Sequence, residues 1–153
     1  MRILVIHQNF PGQFGHLAQA WAQRPGWDVR ALARDTAPGL PGFDKLHRYR
    51  LARPGNPNQH HYLRQMESAT LHAQAAVRAM LELRRSGFTP DVILAHPGWG
   101  ETLYAKDVFP NTRLVHLCEW FYNSEGADLG STPNSPSRWT TARACAPGTR
   151  CTR

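Results

Sequence analysis

The chain alternates short, nearly uninterrupted apolar runs with longer segments whose apolar residues recur at helical spacing. RILVIH (residues 2–7) has the pattern of a strand buried on both faces of a parallel sheet. QFGHLAQAWAQR (13–24) follows, with Phe14, Leu17, Ala18 and Trp21 on one helical stripe and Pro25 and Gly26 ending it. WDVRALA (27–33) reads as a second strand, so residues 2–33 form a βαβ unit with a right-handed crossover. Beyond the loop APGLPGF, LHRYRL (46–51) predicts a short strand, and ARPGNPNQ a second loop. From His60 to Ser86 there is no Gly or Pro, and Leu63, Met66, Thr70, Ala73, Val77, Met80, Leu81 and Leu83 predict one long helix closed by Gly87.

DVILAH (91–96) predicts a fourth buried strand, PGWG a loop, and ETLYAKDVF (101–109) a short helix with Glu101 near its positive N-terminal end. RLVHLCEWF (113–121) reads as a last strand, and the periodicity decays from about Asn123. This order predicts a doubly wound α/β domain, with a parallel sheet whose ligands bind beyond the carboxyl ends of the strands.

Composition narrows the class. A chain of 153 residues holds one domain with a real core. Its mean hydropathy of -0.50 describes a soluble globular protein, and no apolar run approaches the roughly 18 residues of a membrane span. The apolar start, ILVI, is too short for a signal peptide and lacks its cleavage region, so a cytoplasmic protein is expected. Cys118, Cys145 and Cys151 have neither CxxC spacing nor paired histidines, which argues against a zinc site or a disulfide framework. The net charge of +7 would suggest nucleic acid, but the arginines are scattered and form no stripe with aromatics, so no specific nucleic-acid partner is expected.

The carboxyl ends of three predicted strands gather polar residues: His7-Gln8-Asn9 with the PGQFGH loop, His96 with PGWGE, and Glu119-Trp120. In a parallel sheet these lie on one rim and line one cleft. Gly12 and Gly15 allow a ligand close to the backbone, and the N–H groups near Gln13 and Phe14 are placed to receive an anion. PGQFG is neither GxGxxG nor a P-loop, and by itself it reads as a turn rather than as a phosphate cradle. His96 is positioned to donate to a hydroxyl or take a proton. Trp99 could stack on a sugar or plug its loop, and Glu119 could be a rim carboxylate or a strand-end ion pair. His16, His60, His61 and His72 read as helix-surface histidines without metal-ligand spacing, and Glu67 as a solvated charge.

With these residues in view, the sequence resembles the N-terminal domain of a family 4 glycosyltransferase of the retaining GT-B type. MRILVIHQNFPGQFGHLAQAWAQRPGWDVRALA, the span from HHYLRQMESATLHAQ through DVILAHPGWGETLYAKDVFPNTRL, and EWFYNSEGADLG carry the likeness over residues 1–135. It implies a Rossmann-like fold and transfer of a sugar from a nucleotide-sugar to a sugar or lipid-linked acceptor. It also implies a cytoplasmic site, peripheral at the inner membrane face for a lipid acceptor. By this resemblance Gly12, Gln13 and His16 approach the donor diphosphate and His96 contacts the transferred sugar as the catalytic candidate. Asn9, Trp99, Glu101 and Glu119 line the acceptor side. No metal or other cofactor is implied, the nucleotide-sugar being substrate.

The same resemblance sets a C-terminal donor-binding domain beside this one, which the 153 residues do not include. The expected enzyme half is therefore inactive alone, or completed by that domain in trans; the alternative is a stand-alone sugar- or nucleotide-binding module. Residues 136–153 lack apolar periodicity and acidic residues. One GC-rich back-translation of Pro136 to Cys151, read in a shifted frame, gives the amphipathic VALDDRARVRARNAL, which suggests that the tail is a frameshift product.

Overall fold

The computed structural model describes residues 1–118. Five strands form one all-parallel sheet: β1 (Arg2–Ile6), β2 (Asp28–Arg34), β3 (Leu46–Tyr49), β4 (Val92–Ala95) and β5 (Arg113–His116), in the order β3-β2-β1-β4-β5. The register sets Ile3 beside Val29 and Val92, and Ile6 beside Leu32 and Ala95. β1 is central because it is the most uniformly apolar strand, with Ile3 to Ile6 all at most 2% exposed. This is a Rossmann-like α/β fold.

Alternation along each strand sends side chains to two separate cores. Ile3 and Val5 join Val29, Ala31 and Ala33 under α1 (Gly15–Ala22), where Phe10, Phe14 and Ala18 close the packing. Leu4, Ile6, Leu32 and Ile93 face the opposite way, under α2 (His61–Arg85) and α3 (Ala105–Val108). Helices therefore cover both faces, as the doubly wound pattern predicts. The chain reverses its winding between β1 and β4, and this switch point opens a crevice at their carboxyl ends.

Several boundaries differ from the sequence reading. Gly12–Phe14 forms a 3-10 turn, so α1 starts at Gly15. Residues 101–104 are turns, and α3 is only four residues long, which removes Glu101 from any helix N-terminus. β5 ends at His116, and the predicted continuation to residue 121 falls largely outside the described residues. Leu63 and Met66, expected on the core stripe of α2, are 52% and 63% exposed. The first turns of this 25-residue helix have no sheet beneath them, and its core contacts begin at Leu71.

Candidate functional site

His7 and His96 end their strands in the same way. Each ring accepts a backbone N–H from two residues further on: Asn9 N–H reaches His7 Nδ1 at 3.1 Å, and Gly98 N–H reaches His96 Nδ1 at 3.1 Å. Occupying Nδ1 as acceptor leaves Nε2 as the protonated nitrogen of the neutral ring. The local reason is a tight turn directly after each strand, with small or permissive residues at its exit. A Cβ on Gly12 would stand 2.5 Å from the His7 ring, and one on Gly98 would stand 2.8 Å from His96 Cε1. Gly12 also takes a positive φ of +47°, so two independent constraints select glycine there.

The two rings meet across the β1/β4 switch point. His7 and His96 have centroids 5.6 Å apart, and Trp99 lies 5.5 Å from His7 and 4.9 Å from His96. Phe14 closes the other side of His7 at 5.8 Å. His7 is buried, His96 half-buried, and Trp99 exposed at the surface of the cluster. Distant sequence segments are thereby joined: the NFPGQF loop through His7 and Gly12, the PGWG loop through His96 and Trp99. An aromatic plate beside histidine edges at a switch point is an arrangement suited to a sugar ring and its hydroxyls.

The other predicted residues distribute unevenly. Asn9, Gln13 and His16 are exposed on the rim near this cluster, His16 in the first turn of α1. The expected anion-receiving N–H groups are partly used within the loop, since Gly12 N–H donates to the Asn9 carbonyl and Phe14 N–H to the Pro11 carbonyl. Glu119 lies outside the described residues, as does the tail from residue 136. Glu101 is 1% exposed and turns inward.

Inward of the PGWG loop lies a buried polar chain. Tyr49 donates its hydroxyl proton to Glu101 Oε1 at 2.7 Å. That hydroxyl has one proton, so it accepts from His72 Nδ1–H at 2.9 Å. His72 Nε2 then accepts from the Gln8 amide at 3.4 Å. Glu101 Oε2 is buried without a hydrogen-bond partner among the described residues. Burial, reinforced by Glu101, pushes the Tyr49 phenol far above its ordinary range. Burial lowers the His72 imidazole against the opposing pull of Glu101, which agrees with a neutral ring that both accepts and donates.

His72 corrects the helix-surface expectation, because it is 4% exposed. The signal was present: His72, Ala76, Ala79, Met80 and Leu83 follow an i, i+4, i+7, i+8, i+11 stripe, all buried. His7 was visible only as part of a rim cluster, and Tyr49 only as a strand residue. Glu67 corrects the solvated reading: it accepts from Arg53 at 2.8 Å and from Asn56 N–H at 3.0 Å. These contacts, the backbone bond first, hold its carboxyl below the ordinary value. His60 and His61 are exposed, as expected.

Among the described residues no group of three or more His, Cys, Asp or Glu side chains is placed to hold a metal ion. No described helix is long and apolar enough to cross a membrane. The sequence matches the glycosyl transferase family 4 group over residues 25–147. The chain belongs to that family. The matched stretch takes in β2 through β5 and the PGWG loop, while the NFPGQFGH loop precedes it. No curated protein and no solved structure shows a match. A family 4 glycosyltransferase domain acts on sugar and acceptor substrates, and the histidine and tryptophan cluster lies where this fold places its ligands.

Proposed function

We propose that this chain is the N-terminal, acceptor-side half of a retaining GT-B glycosyltransferase, which moves a sugar from a nucleotide-sugar to an acceptor hydroxyl. The observation that carries this reading is the packing of His7, His96 and Trp99 at the β1/β4 switch point of a family 4 domain. In this reading His96 donates from Nε2 to a hydroxyl of the transferred sugar, and Trp99 covers one face of a sugar ring. The Gly12 backbone, with Gln13 and His16 beside it, faces the donor diphosphate. Leaving-group charge is best met by fixed N–H donors in a cleft that excludes water; with Gly12 and Phe14 N–H already bonded inside the loop, a second domain supplies part of them on this reading. Asn9 and Glu119 complete the acceptor side, whereas Glu101, being buried, serves by holding the loop that carries His96 and Trp99.

The nucleotide pocket and the remaining diphosphate contacts belong, on this proposal, to a second domain that meets this rim. The chain alone then binds donor weakly and does not turn over. Calorimetric titration with UDP-glucose and GDP-mannose, alongside a transfer and hydrolysis assay, tests this. Weak binding that His96→Ala reduces at least tenfold, with no turnover, is the expected result. Turnover by the isolated chain would refute dependence on a second domain. Tight binding indifferent to His96→Ala would instead mark a stand-alone sugar- or nucleotide-binding module.

A further inference from the structure

A second feature of the same rim lies two strands away from His96. Immediately beyond the carboxyl ends of β2 and β3, residues 34–36 and 50–54 line an open cavity of about 400 Å³. Three of its lining residues are arginines, Arg34, Arg50 and Arg53, against a single carboxylate, Asp35. Asp35 stands between two of them without a close bond to either, 3.7 Å from Arg34 Nε and 3.8 Å from Arg50 Nε. Arg34 Nε is shielded from solvent and has no hydrogen-bond partner among the described residues. The rest of the Arg34 side chain is 36% exposed, so its guanidinium keeps N–H groups toward the cavity, and an anion oxygen is the partner such a fork binds best.

The wall of this cavity is built in advance. Arg48 Nη1 donates to the carbonyls of Arg34, Asp35 and Ala37 at 3.4, 3.0 and 2.7 Å, which fixes the turn after β2. Asp35 N–H bonds to the Tyr49 carbonyl at 2.8 Å, tying the two strand ends together. On the far side, Glu67 holds Arg53 in place at 2.8 Å and thereby neutralises it, leaving Arg34 and Arg50 to face the cavity with Asp35 between them. Neighbouring strands are about 4.8 Å apart, so the cavity lies roughly 10–14 Å from His96 across β1 and β2.

We infer that the cavity at the ends of β2 and β3 is an anion subsite, in which Arg34 and Arg50 bind a phosphate group of the acceptor. This inference rests on the glycosyltransferase reading for the word acceptor alone; the phosphate site itself stands on the arginine geometry. Calorimetry on the full chain with glucose 6-phosphate, glucose and inorganic phosphate tests it. Glucose 6-phosphate should bind at least tenfold more tightly than glucose, and inorganic phosphate should compete with it. Arg34→Gln and Arg50→Gln should each weaken glucose 6-phosphate about tenfold, the loss expected for one charge-assisted contact. Arg50 is 87% exposed, so its variant folds whatever the fate of the Arg34 variant. Arg78→Gln, in a separate groove of α2 and α3, should bind like the parent.

Equal affinity for glucose and glucose 6-phosphate, or no loss in Arg50→Gln, overturns the subsite. A phosphate-dependent affinity that Arg50→Gln weakens and His96→Ala leaves intact supports the subsite even where the transfer assay fails. Parental glucose 6-phosphate affinity in Arg50→Gln, together with nucleotide-sugar binding that His96→Ala weakens, would sink the subsite and leave the glycosyltransferase reading standing.

Discussion

Gly100 is the point at which the PGWG loop crosses α2, and replacing it with alanine should unseat the candidate site. Its φ is +101°, and a Cβ there would lie 2.4 Å from the Ala69 carbonyl oxygen, 2.7 Å from Ala69 Cα and 2.8 Å from its carbonyl carbon. Ordinary contact begins near 3.4 Å, so the loop must lift by about 1 Å, since a helix backbone locked by its own hydrogen bonds yields less than a loop. The left-handed backbone costs alanine about 1–2 kcal/mol. Lifting the loop also draws Glu101 from Tyr49, and leaving buried polar partners unmet adds about 1–3 kcal/mol. Gly87→Ala is the matched control, because Gly87 has φ +85° and no atom within 4 Å of the added carbon. It pays the backbone cost only.

The expected difference between the two variants is therefore about 2 kcal/mol, the middle of the range for unmet buried partners. With a urea slope of about 1.5 kcal/mol/M, that places the Gly100→Ala midpoint roughly 1.3 M below that of Gly87→Ala. Equal midpoints would show that the loop does not depend on its contact with Ala69, and the placement of His96 and Trp99 would need another cause.

The remaining expectations concern the polar chain and the histidine cluster. Tyr49→Phe leaves His72 Nδ1 and Glu101 Oε1 without their bonds and should cost about 1–3 kcal/mol in urea denaturation, whereas Glu101→Gln keeps an acceptor for the hydroxyl and should cost less. Equal losses in the two variants would show that the direction assigned to the chain is wrong. His72 is held below its ordinary value of 6.5 by burial, so its stabilising effect is complete above about pH 6.5 and declines as the pH falls, because the unfolded chain takes up the proton first. His47, lowered by burial and Arg30, acts in the same direction, so His72→Gln should flatten the loss of stability below pH 6.5 only in part, and an unchanged slope would refute the assignment. Gly12→Ala drives a Cβ into the His7 ring and should weaken UDP-glucose binding as His96→Ala does; parental affinity would separate the NFPG loop from the site.

The pattern of apolar runs was enough for the parallel sheet, the long helix and the rim that carries the candidate site. Short buried strands and a 25-residue run without Gly or Pro leave few alternatives, and the crossover rule then fixes the winding. The motifs also placed His96 and Trp99 together, because both follow one strand within four residues. Helix ends near Gly12 and Glu101 were read wrongly, since 3-10 turns and tight loops are set by contacts beyond the segment itself.

What only the tertiary structure decided is who meets whom across the sheet. His7 and His96 become neighbours because β4 pairs with β1, a pairing that no local pattern encodes. Glu101 is buried because Gly100 lets its loop touch the α2 backbone at Ala69, one turn before His72, and Tyr49 arrives from β3 to take up the hydrogen bond. The arginines of residues 34, 50 and 53 looked scattered along the chain, and strand pairing of β2 with β3 gathers them around one cavity. A strand's own sequence specifies which of its faces is apolar, while the identity of its neighbours depends on the packing of the whole sheet.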